Sequence, residues 1–91
     1  MIPLPQKTRK NGFNYIQVLR GDKSAVYSQW FGETLIAYEV MKIKIQPRRC
    51  IKGTWLEARE KFPHNEAFGY WAWTYRSLEK AMEKYKELSN D

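Results

Sequence analysis

Cysteine is nearly missing: Cys50 is the one thiol in a chain of 91 residues. A lone thiol forms no internal disulfide, which argues against a disulfide-stapled extracellular scaffold. Its plainest reading is a small buried or half-buried apolar residue, not a reactive one. Histidine is as scarce, with His64 alone. There is no Cys/His cluster and no acidic ligand loop, so a zinc or calcium site has no sequence support. There is no GxGxxG and no P-loop either, and hence no sign of a nucleotide cofactor. His64 and Cys50 do not stand at the spacing of a familiar nucleophile–base motif. Glu57, Glu60 and Glu66 flank a loop without defining a carboxylate pair. These absences predict a non-enzymatic protein with no catalytic residues, no metal and no cofactor.

Long apolar runs are also missing. Nothing approaches the ~20 residues that span a bilayer, and the first ten residues lack the apolar centre of a signal peptide. A soluble, cytoplasmic protein without a membrane partner is the expectation. Acidic residues are few, ten against sixteen Lys and Arg, for a net charge of +6. The imbalance is uneven along the chain. Residues 1–49 hold nine cations against three carboxylates, whereas residues 50–91 hold seven of each. A basic half implies an acidic partner, either nucleic acid, a nucleoprotein or an acidic protein. The plainer alternative is a solubilising surface.

What the chain has in quantity is aromatic side chain, 15% of residues, within a hydrophobic content of 43%. That suits one folded domain. Residues 1–11, with two prolines followed by Lys7, Arg9 and Lys10, read as a flexible basic arm ahead of a domain at 12–91. Strands are expected at 13–19 and 25–31, rich in aromatic and β-branched residues and joined by the turn Gly21-Asp22-Lys23. A long third strand runs from Thr34 to Gln46. Within it, Ile36, Tyr38 and Val40 alternate in one phase and Met41, Ile43 and Ile45 in the other, so a β-bulge near Val40-Met41 is expected. Pro47 ends it.

Residues 50–67 are the least regular. Thr54-Trp55-Leu56-Glu57 has the form of a capping box, which favours a turn or two of helix at 55–61 as much as an irregular excursion. A fourth strand follows at 68–76, with Trp71, Trp73 and Tyr75 sharing one face as core. Ser77 is a good N-cap, and Leu78, Ala81, Met82, Tyr85 and Leu88 form a helical apolar stripe. The predicted fold is α+β: a four-stranded antiparallel sheet with a C-terminal helix packed on one face. That element order resembles the coactivator-type single-stranded-DNA binders.

Cations and rings converge in this scheme. Lys42, Lys44, Arg48 and Arg49 run along and beyond the third strand, and Arg20 and Lys23 sit at the first turn. Cations hold phosphates and exposed rings stack bases, the rings here being Tyr27 and Trp30, with Tyr15 and Trp71 as further candidates. The expected partner is RNA, single-stranded DNA or a nucleoprotein, engaged by a monomer or homodimer.

The segment from Ile36 to Ile45 (Ile-Ala-Tyr-Glu-Val-Met-Lys-Ile-Lys-Ile) also carries a resemblance. So do Phe62-Pro63-His64-Asn65-Glu66-Ala67-Phe68-Gly69, Trp71-Ala72-Trp73-Thr74-Tyr75 and Leu78-Glu79-Lys80-Ala81. Together they resemble a family of small uncharacterised proteins carried by bacterial phages and other mobile elements, over most of residues 13–88. The resemblance brings no catalytic residues. It implies a binder that blocks a host machine. The second expectation is therefore an inhibitor of a host-defence nuclease, of the anti-CRISPR type, acting by protein–protein contacts.

Overall fold

The computed structural model describes residues 1–90. In chain order the strands are β1 (Lys7–Lys10), β2 (Phe13–Arg20), β3 (Ser24–Phe31), β4 (Thr34–Lys42), β5 (Lys44–Gln46), β6 (Arg49–Ile51), β7 (Thr54–Leu56), β8 (Arg59–Lys61) and β9 (Ala72–Tyr75). The helix α1 (Leu78–Ser89) follows. The fold is α+β, with α1 packed on a main sheet whose strand neighbours all run antiparallel. That sheet has five strands, in the order β1-β2-β3-β4-β9, not the expected four.

The extra strand comes from the segment expected to be a flexible arm. Asn11 and Gly12 both take positive φ, 55° and 82°. A two-residue turn of this kind matches the right-handed twist of its flanking strands, so it folds Lys7–Lys10 back onto β2 as a hairpin. Upstream, Leu4 is buried and Ile2 forms a parallel bridge to Arg59. The basic N-terminal segment is thus a sheet edge and a core contributor.

Both faces of the sheet carry a cover, by different means, and the helical cover lies over β3, β4 and β9. On one face Val26, Val40 and Trp73 lie across neighbouring strands. Ala81 and Leu88 of α1 close over them, with Leu19, Tyr38, Tyr75, Met82 and Tyr85 around the edge. On the other face Tyr15, Ala25, Tyr27, Met41 and Ala72 are covered by Leu4 and by Phe62, Phe68 and Trp71 from the segment before β9. This explains the change of hydrophobic phase along β4. Val40 and Met41 point to opposite faces and both are wholly buried, since a strand covered on two sides is apolar without alternation. The bulge expected near Val40-Met41 is absent. Pairing with β3 runs unbroken from Ala37 to Lys42, and the register shifts instead opposite Gln29 and Trp30.

Ser77 caps the helix as expected, its side chain accepting from the Lys80 N–H at 3.3 Å. The stripe holds except at Leu78, which is exposed. Trp71 and Trp73 do not share a face. Trp71 precedes β9 and packs on the Tyr27 side, while Trp73 packs under α1 with Lys84 Nζ 4.2 Å from its ring centroid. Among the described residues no helix is long and apolar enough to cross a membrane.

Met41 is a sensitive position in this arrangement, because it is fully enclosed between the sheet and its non-helical cover. Met41→Ala should lower the unfolding free energy by about 2–5 kcal/mol, the usual cost of a large-to-small change where the core cannot collapse. Urea denaturation reads this directly. An unchanged midpoint would mean that the cover is loose.

Candidate nucleic-acid interface

The chain leaves the main sheet after Lys42. Residues 44–61 form one long antiparallel hairpin in two sections. The first pairs Lys44 with Lys61, Ile45 with Glu60 and Gln46 with Arg59. Pro47 cannot donate to a ladder, and the pairing lapses there. It resumes with Arg49 opposite Leu56, Cys50 opposite Trp55 and Ile51 opposite Thr54. Lys52 and Gly53 close the tip at positive φ, 50° and 81°, the same kind of turn that closes the first hairpin. The helix or irregular loop expected over 50–67 is therefore replaced, as far as Lys61, by paired strand. The Thr54–Glu57 capping pattern lacks the apolar stripe that would hold a helix to the body, and cross-strand pairing wins.

The base of this arm is fixed to the body. Glu60 accepts from Arg20 through both oxygens, at 2.5 and 3.2 Å, and from the Leu4 N–H at 2.8 Å. The Arg20 hydrogen bond, with further help from Leu4, holds the Glu60 carboxyl below its ordinary range despite partial burial. The Ile2 N–H donates to the Ala58 carbonyl, and the Glu60 N–H to the Ile2 carbonyl. Beyond this anchor every residue from 47 to 57 is exposed, and Cys50 with them, contrary to the burial expected of it, because the arm projects past the body's cover. From the Gln46–Arg59 pair to the turn is roughly 20 Å of strand.

The arm is strongly basic. Lys44, Arg48, Arg49, Lys52, Arg59 and Lys61 stand against Glu57 and Glu60, so 18 residues carry +4 of the chain's net +6. At the tip, alternation divides the side chains. Arg49, Ile51, Thr54 and Leu56 take one face; Arg48, Cys50 and Trp55 take the other. The Arg48 guanidinium carbon lies 4.5 Å from the Trp55 ring centroid. That contact presents a cation and a 60%-exposed indole as one unit.

The residues expected to bind are scattered by this fold. Lys44, Arg48 and Arg49 are brought together on the arm. Arg20 is not available as a phosphate contact, because it is the bidentate partner of Glu60 at the arm's base. Lys42 is half-buried at the end of β4, and Lys23 lies in the β2–β3 turn, its carbonyl accepting from the Ile43 N–H. Tyr27 is corrected outright: it is wholly buried, its hydroxyl donating to the Pro5 carbonyl and accepting from Gln17 Nε2 at 3.1 Å. It has no ring face to offer, and Tyr15, 5% exposed, has none either. Trp30 is half-buried at the far end of β3. Lys52, Trp55, Arg59 and Lys61 belong to the arm and were not among the expected residues. The signal for them was Lys52-Gly53 flanked by Arg-Cys-Ile and Thr-Trp-Leu, a short hairpin pattern. Searches against protein-family models, curated proteins and solved structures find no match to this chain, so the site rests on its own geometry.

Proposed function

We propose that this protein is a non-enzymatic binding module that engages nucleic acid, alone or within a nucleoprotein, through the basic arm at 44–61. The observation that carries this reading is the arm itself: six cations on a two-stranded ribbon whose outer part is exposed at every residue. A ribbon of this kind is what a B-form major groove, about 12 Å wide, admits. The Arg48–Trp55 unit supplies a stacking ring for unpaired bases. Arg48, Arg49 and Lys52 are the phosphate contacts at the tip; Lys44, Arg59 and Lys61 extend the cationic track toward the body.

The test is fluorescence anisotropy with single- and double-stranded DNA and RNA over a range of salt. Log affinity should fall linearly with log salt, and the triple variant Arg48→Glu, Arg49→Glu, Lys52→Glu should reduce that slope by about 3, roughly 0.9 per phosphate contact on duplex. Affinity at low salt should drop at least about a hundredfold. An unaltered slope in the triple variant would remove the arm from the interface, and no binding of any nucleic acid at low salt would remove the reading.

A second reading has its own observation. Ile51 and Leu56 are 43% and 40% exposed on one face of the tip beside Arg49. An apolar patch with an arginine is the make-up of a protein-binding hot spot. On this reading the arm inserts into a protein target such as a host-defence nuclease. A partner retained after complete digestion of nucleic acid, and lost in Ile51→Ser, Leu56→Ser, would favour it.

A further inference from the structure

The helix packs on β3, β4 and β9, which leaves the β1–β2 side of the same face bare. There the sheet forms an open groove of about 600 Å³ lined by Lys7 and Arg9 of β1, Asn14 and Ile16 of β2, and Trp30 of β3. Pairing puts these side chains on one face, since Lys7 opposes Ile16, Arg9 opposes Asn14 and Asn14 opposes Trp30. The size is that of a small-molecule site.

Its chemistry is one-sided. The two charged residues of the wall are both cations, and neither has a carboxylate partner among the described residues. Trp30 is held in place: its indole Nε1–H donates to Ser28 Oγ at 2.8 Å, and that hydroxyl donates to the Ile16 carbonyl at 3.2 Å. Fixing the ring lowers the ordering cost of stacking on it. Arg9 and Trp30 stand two strands apart, roughly 10 Å between backbones. The space between them is floored by Asn14, whose amide both donates and accepts.

We propose that this groove binds a nucleotide unit: the base on Trp30 against Ile16, its edge to Asn14, and the phosphate to Arg9 and Lys7. The unit comes either from a free nucleoside phosphate or from a single strand. The groove lies toward the opposite end of β3 from the arm, since Ser24 pairs with Lys42 where the arm departs and Trp30 is about 20 Å further along. The two sites therefore fail independently.

The experiment follows the tryptophan indole N–H signals of the ¹⁵N-labelled full chain by NMR, with Trp30 assigned by its loss in Trp30→Phe. The probes are a nucleoside monophosphate, the matching nucleoside, inorganic phosphate and a short oligothymidylate. The expected result is a saturable shift of the Trp30 signal with the nucleotide. Nucleoside or phosphate alone should bind at least about tenfold more weakly, and Arg9→Gln should lose a similar factor, as removal of one charge-assisted phosphate contact implies. Tighter binding of the oligonucleotide assigns the unit to a strand, and equal binding assigns it to a free nucleotide. The triple arm variant should leave all of this unchanged. No saturable shift at Trp30, shifts confined to Trp55, or equal affinity for nucleoside and nucleotide would each overturn the proposal. Arg9 is exposed and the spectrum itself reports folding, so a misfolded variant is recognised as such.

Discussion

Replacing residues 47–58 by a two-residue Asn-Gly turn between Gln46 and Arg59 should leave the body folded and remove the nucleic-acid binding that the arm supplies. The fold half of this expectation rests on burial. None of residues 47–57 is buried, and both hydrophobic clusters draw their members from elsewhere. What holds the arm's base is Glu60 with Arg20 and Leu4, and that is retained. The Ile2 hydrogen bond to Ala58 is lost. Such losses at an exposed edge change unfolding free energy by about 1 kcal/mol or less. The binding half rests on charge. The excised segment carries Arg48, Arg49 and Lys52 together with Trp55, and loss of three phosphate contacts and a stacking ring should weaken binding roughly a thousandfold near physiological salt. Urea denaturation and anisotropy on the same preparation test both halves. A body that unfolds would show that the arm is structural, and retained affinity would move the interface to the groove beside Trp30.

How far this was legible in the sequence depends on which interactions are local. The helix was, because its cap at Ser77 and its stripe are encoded within one segment. The hairpin of β2 and β3 was, because both strands are aromatic and β-branched and the turn between them is short. The fifth strand was hidden by composition, as Lys-Thr-Arg-Lys has no apolar alternation to mark it. Only the Asn11-Gly12 turn marks it. Lys52-Gly53 marks the arm in the same way, against a capping pattern four residues long. In both cases the turn, not the strand, held the information. Tyr27 and Trp30 show a different limit. Periodicity describes how side chains alternate along β3, but not which face each region of the sheet leaves bare. That depends on Leu4, Phe62 and Trp71 arriving from distant parts of the chain on one side, and on α1 covering only part of the other.

The covered face carries a titratable group, and it sets the remaining large expectation. Glu39 sits in β4 between Tyr27 and Thr74, only 4% exposed, on the side opposite the helix. Burial raises its pKa to about 7; a hydrogen bond from Tyr15 and the charge of Lys10 oppose this without cancelling it. Lys10 is not free to pair fully, because its ammonium donates to the Pro63 carbonyl. Between the ordinary carboxylate range and about pH 7 the folded state then binds more protons than the unfolded one. Stability must fall as pH rises through that window, and the full cost is felt above it. A shift of this size corresponds to about 3 kcal/mol between pH ~5 and pH ~8. Glu39→Gln keeps an acceptor for Tyr15 and removes the proton, so its urea midpoint should match the parent near pH 5 and exceed it near pH 8. Chemical denaturation at the two pH values decides the matter. A parent protein equally stable at both, or a glutamine variant weakened equally at both, would mean that the carboxylate is charged and compensated in place, with Lys10 turned toward Glu39 and away from Pro63.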